Sequence, residues 1–372
     1  MSLVASRVAL SPPLEPRYRD VIAALGHERG YPTHEAPAAL GARLAELSRA
    51  YNTAGTAPRD ALAARLGFSF ARDTPKGGAA VAELLLRGAL TLDGALTVLD
   101  YGAGLGATTW GVVRALAAAG ATGRVDATMF EPDEAALALG LVLARRLGGE
   151  GGVELRARGV AAPPPRGATF DLVLLGQVLS EIAVGDDARE QALLARVDSL
   201  LRERVRPGGA LVVIEPALSV RTRALMRLRD GLAARGHAPF APCPHALACP
   251  MLPRERDWCH EDLPIDLPAW LVPTARAAGL RWERLTFSYL VLTRERRSAA
   301  AGARVVGQPK ITKGKRELPV CTEQGALVTL TRLDRHASLE NAAFEGAARG
   351  DHVVTDASSR VVATTRVELE AP

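Results

Sequence analysis

The feature that most constrains this sequence is a glycine-rich loop placed between a buried strand and a helix. Residues 95–100 form a short apolar run with no solvent face, as expected of a strand covered on both sides. Gly102, Gly104 and Gly106 follow, and a helical pattern occupies residues 110–119. Glycine lets the backbone turn tightly and approach a ligand, to which the helix start presents free N–H groups. The segment therefore predicts a ligand-binding turn of a parallel α/β sheet.

Two details indicate which ligand this turn binds. The glycines are spaced two and two, whereas the dinucleotide fingerprint is spaced two and three, and Asp100 precedes the first of them. Glu131 ends the next strand, residues 124–130, where its carboxylate can accept hydrogen bonds from both hydroxyls of a ribose. A helix-start acid is the alternative role for Glu131. The pattern favours S-adenosylmethionine over a nicotinamide cofactor, because a carboxylate suits an amino group and a sulfonium.

The order of elements divides the chain into three predicted parts. Residues 1–90 carry helical patterns at 38–49, 59–66 and 79–90, which predict a helical N-terminal domain. Residues 91–300 alternate strands and helices, which predicts a Rossmann-like α/β domain of the class I methyltransferase type, with a cysteine-rich insertion at 241–264. Residues 301–372 favour strands and are interpreted as a small β-rich module.

Charge and hydropathy limit the classes of partner. The chain carries a net charge of +5 and a pI near 9.3, which permits a polyanionic partner without requiring one. A basic run, Lys310, Lys313, Lys315 and Arg316, is a candidate contact for RNA or simply a solvated hairpin. Targeting and membrane-spanning patterns are absent, so we expect no membrane association and a cytoplasmic protein. The sequence does not predict an oligomeric state.

Residues that face a substrate are less clearly marked. Gln177, Ser180 and Glu181 lie in the loop where methyltransferases place such groups, although local loop and helix-start roles are equally open. Asp171 matches a common position of this fold or is only a strand-end residue. The chain lacks the Asp/Asn-Pro-Pro-Tyr motif of exocyclic-amine methylation. No catalytic base is assigned.

The four cysteines are a second candidate site. Cys243, Cys249 and Cys259 lie close together in the sequence, and Cys321 lies in the β-rich part. Clustering of this kind in a reducing compartment indicates a metal site rather than disulfides. The spacing lacks a Cys-x-x-Cys knuckle, but four thiolates satisfy either tetrahedral zinc or a cubane iron–sulfur cluster. His245 and His260 are alternative ligands, and unrelated thiols are the remaining possibility.

The cysteines also stand in an ordered series of short motifs. These are Cys243-Pro244-His245, Cys249-Pro250, Trp258-Cys259-His260, the strand 288–292, and Val320-Cys321-Thr322 followed by Gly325. With the strand end Val213-Ile214-Glu215-Pro216, the series resembles the methyltransferase-like family of the mitochondrial small ribosomal subunit and its bacterial relatives. The resemblance extends from about residue 44 to residue 351. This sequence departs from the family pattern at residues 72–78, where the family usually has an aromatic residue after a small one.

The resemblance implies an S-adenosylmethionine-binding Rossmann domain and a four-iron four-sulfur cluster on Cys243, Cys249, Cys259 and Cys321. It further implies association with the small ribosomal subunit through its rRNA, during rRNA methylation or assembly. The leading hypothesis is therefore a methyltransferase acting on or beside this subunit. The alternatives are a catalytically silent S-adenosylmethionine-binding assembly factor and a small-molecule methyltransferase.

Overall fold

A nine-stranded sheet forms the centre of the chain. The computed structural model describes residues 2–53, 61–165, 167–179, 187–294 and 301–370. The strands of this sheet are β1 Gly94–Tyr101, β2 Gly123–Phe130, β3 Gly149–Glu150, β4 Val153–Val160, β5 Phe170–Gly176, β6 Val205–Glu215, β7 Pro239–Ala241, β8 Glu261–Leu263 and β9 Leu285–Thr293. Their spatial order is β3-β4-β2-β1-β5-β6-β9-β7, and β8 pairs with β9.

The pairing directions define the fold class. Strands β4, β2, β1, β5 and β6 run parallel, whereas β9 runs antiparallel to β6. The order reverses beside β1, which creates the crevice where open α/β sheets bind ligands. Five parallel strands followed by an antiparallel neighbour of β6 are the arrangement of class I methyltransferases. The predicted fold class, an α/β Rossmann-like methyltransferase sheet, is confirmed.

Helices cover both faces of the sheet. In chain order they are α1 Leu3–Ala9, α2 Pro16–Glu28, α3 Pro37–Thr53, α4 Ala61–Ala64, α5 Phe70–Leu86, α6 Ala107–Ala118, α7 Glu134–Leu147, α8 Asp187–Glu203, α9 Ser219–Ala234, α10 Val272–Ala277 and α11 Ala343–Gly346. Val98 and Leu172 face the core that includes the N-terminal helices, while Leu99 and Val173 face a second core under α8 and α9. This alternation explains why β1 and β5 read as continuous apolar runs. No helix in the described ranges is long and apolar enough to cross a membrane.

Several boundaries differ from the sequence-based expectations. The helix predicted at 79–90 begins at Phe70 and includes Pro75, so the glycines after it lie inside a helix and do not interrupt one. The helix predicted at 59–66 is α4 followed by a π-helical turn, Arg65–Ser69. The segment Arg206-Pro207-Gly208-Gly209 has the composition of a turn, yet it lies within β6, at a register shift opposite β5. Strand β4 alternates apolar and charged residues and was not predicted.

The C-terminal residues form a separate seven-stranded sheet. Its strands are β10 Ala303–Val305, β11 Lys310–Thr312, β12 Lys315–Cys321, β13 Leu327–Leu333, β14 His352–Thr355, β15 Arg360–Val361 and β16 Val367–Leu369. Residues 360–369 form two short strands, β15 and β16, and not one continuous strand. Leu318, Leu330 and Phe344 lie in a small core of their own beneath this sheet. The β-rich character expected of this part is confirmed.

A buried ionic network joins the N-terminal helices to both sheets. Arg304 of β10 donates to Glu83 of α5, to Glu261 of β8 and to the Tyr289 hydroxyl of β9, each at 2.9 Å. Arg7 of α1 donates to Glu261 at 2.9 Å. These charged side chains are at most 4% exposed. Opposite charges at hydrogen-bonding distance compensate one another's desolvation, so the network fixes how the parts of the chain are oriented.

Candidate functional site

The glycine loop adopts the conformation that its sequence predicts. It leaves β1 after Tyr101 and enters α6 at Ala107, and the φ angles of Gly102, Gly104 and Gly106 are all positive. The Gly102 N–H donates to the Phe130 carbonyl at 2.8 Å. A Cβ atom on Gly102 would lie 2.5 Å from Val178 Cγ2. Both the backbone angle and the lack of space therefore require glycine here.

Glu131 meets this loop at the edge of a large cavity. The Gly104 N–H donates to Glu131 Oε2 at 2.8 Å, and the Asp133 N–H donates to Oε1 at 2.9 Å. Gly102, Gly104 and Glu131 all line the same cavity of about 630 Å³. That volume is in the range of small-molecule sites. The carboxylate retains lone pairs that can accept hydrogen bonds from a ligand.

Asp100 and Gly106 support the loop from behind. Neither is among the described residues that line the cavity. Asp100 Oδ2 accepts a hydrogen bond from Thr109 Oγ1 at 2.7 Å, which ties the end of β1 to the first turn of α6. Burial raises the pKa of Asp100 to about 6, and the nearby charge of Glu131 adds to the shift. Gly106 begins α6 with a φ of +82°. Both residues therefore hold the loop in position.

Helix α5 contributes a polar pair that the sequence analysis did not single out. Asp73 and Lys76 line the cavity, with Lys76 Nζ 2.8 Å from Asp73 Oδ1. Arg72 donates two hydrogen bonds to Asp73 at 2.8 and 2.9 Å. Burial lowers the pKa of Lys76, and the charge of Asp73 offsets part of that shift. Burial alone would raise the pKa of Asp73, but the charges of Arg72 and Lys76 outweigh it and hold that pKa well below its usual range. Two fixed opposite charges thus lie in the cavity wall.

The remaining loop candidates are placed differently. Gln177 lines the cavity, has a φ of +59°, and donates its N–H to the Ile214 carbonyl at 2.7 Å. Asp171 lies elsewhere, where it accepts hydrogen bonds from Thr97 N–H at 2.7 Å and Thr97 Oγ1 at 2.6 Å and so joins β5 to β1. Ser180 and Glu181 lie outside the described residues. A positive φ is strained for a residue other than glycine, and such strain at a cavity makes Gln177 a candidate functional residue.

The four cysteines converge on a second, smaller cavity. Cys243, Cys249, Cys259 and Cys321 all line a cavity of about 50 Å³. Burial raises the pKa of Cys321 to about 12 and that of Cys259 well above its usual value, and the neighbouring cysteines add to both shifts. Across the described ranges, no group of three or more His, Cys, Asp or Glu side chains is arranged to hold a metal ion.

The two histidines predicted as alternative ligands are not equivalent. His245 lines the cysteine cavity with Nε2 3.3 Å from Cys321 Sγ. His260 instead has Nε2 3.1 Å from Arg349 Nη1, and it is not among the described residues that line this cavity. Asp230 accepts a hydrogen bond from the Cys249 N–H at 2.9 Å and orients that loop. Only His245 is therefore placed to replace a cysteine.

The basic run is only partly available to a partner. Lys310 and Lys313 are exposed in the hairpin of β11 and β12. Lys315 pairs with Glu317 at 3.0 Å, and the buried Arg316 donates to the Ala347 carbonyl at 3.2 Å. Two of its four charges are thus used within the C-terminal sheet.

Comparison with known proteins assigns the family. The family described as mitochondrial small ribosomal subunit Rsm22 matches residues 95–353, which include the glycine loop, Glu131 and all four cysteines. The chain belongs to the Rsm22 family. It is thus a methyltransferase-fold protein of a family named for the small ribosomal subunit, as the sequence resemblance predicted. No curated protein matches the chain.

Solved structures resemble the Rsm22-family chain only distantly. A candidate class I S-adenosylmethionine-dependent methyltransferase from Listeria monocytogenes is 15% identical, with 80% of this chain and 91% of that chain covered and a TM-score of 0.40. Precorrin-6y C5,15-methyltransferase from Geobacter metallireducens is 15% identical, with 57% and 88% covered and a TM-score of 0.30. A candidate RNA methyltransferase from Pyrococcus horikoshii is 16% identical, with 58% and 83% covered and a TM-score of 0.31. The fold class rests on the strand order above.

Proposed function

We propose that this protein binds S-adenosylmethionine in the 630 Å³ cavity and transfers its methyl group to a target in the small ribosomal subunit. The observation that carries the proposal is the 2.8 Å contact between Gly104 and Glu131 at the cavity edge. It puts a ribose-accepting carboxylate beside a backbone that a ligand can approach closely. The family description supports the choice of partner.

Each part of the cavity then has a distinct task. When bound, S-adenosylmethionine supplies an electrophilic methyl group on its sulfonium. Glu131 accepts hydrogen bonds from the ribose, and Gly102 and Gly104 leave room for the ligand at the main chain. Asp73 and Lys76 present charged groups in another part of the cavity lining. The chain contributes alignment of the reacting groups, which supplies a large part of such a rate. No base is assigned.

Calorimetry with S-adenosylmethionine tests the cofactor site. The Glu131→Gln variant loses charge-assisted hydrogen bonds, so we expect Kd to rise by about tenfold or more. Glu134→Gln removes an exposed acid of the neighbouring helix α7 and serves as the matched control, with Kd within about twofold of the wild type. Wild-type protein that does not bind S-adenosylmethionine, or equal Kd values for both variants, would contradict the cofactor proposal.

Methyl transfer needs a separate assay. Labelled S-adenosylmethionine incubated with the protein and small-subunit particles should label the rRNA, and Glu131→Gln should remove the labelling. Binding without transfer to the particles would favour the silent assembly factor. Labelling of small molecules alone would favour a small-molecule methyltransferase.

The cytoplasmic location stays a prediction, since the family description names the mitochondrial subunit.

We propose further that the cysteine cavity holds an iron–sulfur cluster on Cys243, Cys249, Cys259 and Cys321. Zinc requires four sulfurs at about 2.3 Å from one point, whereas a cubane provides a separate iron for each thiolate and so accepts more widely spaced ligands. Convergence of the four cysteines on one cavity is the observation that supports a group bound by all four of them. Burial keeps the cysteine thiols protonated, so binding of the cluster has to release those protons.

Anaerobic purification with iron, sulfide and zinc analysis tests the cluster. We expect about four iron atoms per chain, together with a brown colour that fades in air. In the Cys249→Ser variant the iron content should fall sharply, because a hydroxyl is a poor replacement for a thiolate. Colourless protein that contains zinc would contradict the cluster, and metal-free anaerobic protein would contradict any metal site.

A further inference from the structure

A third depression lies between the cysteine-rich segment and the C-terminal sheet. It measures about 360 Å³ and is separate from the cavity of the glycine loop. Its apolar floor comes mainly from β12 and β13 of the C-terminal sheet: Pro319, Val320, Leu327 and Val328. Its rim comes mainly from residues 254–260, which the proposed cofactor chemistry does not use. We call it the insertion groove.

The rim of the insertion groove is cationic. Arg254, Arg256 and Arg349 line it, and Asp257 is the one carboxylate among its described lining residues. Asp257 Oδ2 is 3.8 Å from Arg254 Nη1, which is a weak surface pair. Arg254 and Arg256 are exposed. Three guanidinium groups facing one carboxylate favour a ligand that carries several negative charges.

The groove also carries a fixed stack of planar side chains. The rings of Trp258 and His260 stack with centroids 5.8 Å apart and planes 23° apart. Trp258 Nε1 donates to the Ala217 carbonyl at 3.1 Å, which holds the indole in place. The Arg349 guanidinium contacts both ring nitrogens of His260, at 3.1 and 3.4 Å, and so lies beside the stacked pair. A preformed aromatic surface of this kind suits the π-face of a nucleobase.

We propose that the insertion groove binds a single-stranded segment of RNA. A base stacks on the Trp258 platform, and its flanking phosphates pair with Arg254 and Arg256. Stacked aromatic residues beside arginines are the usual means of holding unpaired RNA, whereas an acidic peptide would use the cations without the planar surface. The proposal rests on the proposed function, in which the partner contains rRNA.

The insertion groove and the cysteine cavity share a wall. Met251 and Val306 line both of them. Trp258 and His260 flank Cys259, and Val320 precedes Cys321. A group held by Cys259 and Cys321 would therefore fix the rim of the groove against its floor. RNA affinity should accordingly fall in protein prepared without the cluster.

Fluorescence anisotropy with the full-length protein tests the groove. The probe is a 5′-labelled, 12-nucleotide unstructured RNA titrated at several KCl concentrations. The Arg254→Ala/Arg256→Ala double variant should bind more weakly and lower the slope of log K against log salt by about 1.4, because each phosphate contact on a single strand contributes about 0.7. Trp258→Ala should weaken binding by about tenfold, and Trp258→Phe should restore most of it.

Lys310→Ala/Lys313→Ala tests the alternative RNA contact, the basic run, since it removes two exposed cations of the same module that are not among the described residues lining the groove. Its Kd should stay within about twofold of the wild type. Melting temperature and S-adenosylmethionine affinity, measured on every variant, separate misfolding and cofactor failure from loss of RNA binding.

The inference is overturned by any of three results. One is a groove variant that folds and binds RNA like the wild type, and another is loss of binding confined to the lysine variant. The third is displacement of the RNA by poly-aspartate as effectively as by unlabelled RNA, which would identify an acidic protein as the ligand. RNA binding that persists in a protein without methyl transfer would leave the inference intact while the enzymatic proposal fails.

Discussion

Gly104 shows at the level of one residue how the cavity is kept open. Its φ is +52°, and a Cβ atom there would meet no other atom within 4 Å, so an alanine side chain would project into open space beside Glu131. Gly88, after α5, has a similar φ of +61° and equally open surroundings, but it does not belong to the described cavity lining. Comparing an alanine substitution at each glycine therefore distinguishes the effect of backbone strain from the effect of obstructing the ligand.

We expect Gly104→Ala and Gly88→Ala to lose similar stability, about 1–2 kcal/mol each, because alanine is strained at these angles. Only Gly104→Ala should also weaken S-adenosylmethionine binding, by about tenfold or more. Thermal unfolding and calorimetry on both variants measure the two effects. Unchanged affinity in Gly104→Ala would show that the ligand does not approach this loop.

Asp100 should give the protein a distinctive dependence of stability on pH. Its pKa of about 6 in the folded protein lies above the ordinary aspartate value of 3.8, so the folded state binds the proton more tightly than the unfolded state. This contribution to stability is therefore absent above pH 6 and grows as pH falls through the window from 6 to 4. Its full size is about 1–3 kcal/mol.

The Asp100→Asn variant should be more stable than the wild type at pH 8 and should lose about half of that gain on lowering the pH to 5. Asp93→Asn, in an exposed acid just before β1, is the control and should keep the wild-type profile. Urea unfolding at both pH values measures the difference. If the stability of Asp100→Asn and of the wild type changed equally with pH, the Asp100 carboxyl would not be the source of the pH dependence.

At the level of elements, the crossing of α5 and α6 brings the two walls of the cavity together. Gly77 and Gly78 of α5 pack directly against Gly111 of α6. A Cβ atom on Gly111 would lie 2.2 Å from the Thr74 carbonyl oxygen and 2.7 Å from Gly77 Cα, so the obstacle is backbone. This contact packs the helix that carries Lys76 against the helix that follows the glycine loop, and both contribute to the cavity lining.

Gly111→Ala should separate the two helices, cost about 1–3 kcal/mol of stability and weaken S-adenosylmethionine binding. Gly231→Ala makes the same change inside α9, where the nearest atom is the flexible end of Leu194 at 2.7 Å. It should be nearly neutral, because that side chain can move and alanine favours the helix. Equal melting temperatures for the two variants would show that the crossing tolerates a methyl group.

The sequence predicted some elements much better than others. The sequence marks the start and length of helix α7 clearly, because Asp133 caps it and its apolar spacing is regular. Helix α5 was predicted to begin at residue 79, because Pro75 and two glycines read as a break. Those glycines are needed for contact with α6, a partner distant in sequence, and they disguise the helix. Asp73 and Lys76 were missed for the same reason.

At the level of the whole molecule, the buried network around Arg304 determines how the parts are joined. Glu83 and Glu261 both depend on Arg304 for a 2.9 Å charge pair. Arg304→Met should therefore cost about 3–5 kcal/mol, since two carboxylates are left without this partner in the interior. Adding Glu83→Gln should recover part of the loss, because the remaining carboxylate still has Arg7.

Urea unfolding of the two single variants and the double variant gives the coupling energy between Arg304 and Glu83. Additive losses would contradict the network. The division of the chain at residues 90 and 300 stays a prediction, although this network and the contact of the Val4 N–H with Asp351 at 3.0 Å bind the predicted parts closely together.

Patterns along the chain were enough to predict the sheet type, the glycine loop and the candidate Glu131, because each depends on neighbours in the sequence or on a repeating position in a βα unit. Packing was needed to show that Asp100 supports the loop from behind, that α5 supplies Asp73 and Lys76, and that Cys321 shares a cavity with the three cysteines of the insertion. Those facts depend on packing between segments far apart in sequence, and local patterns carry no record of which surfaces will meet.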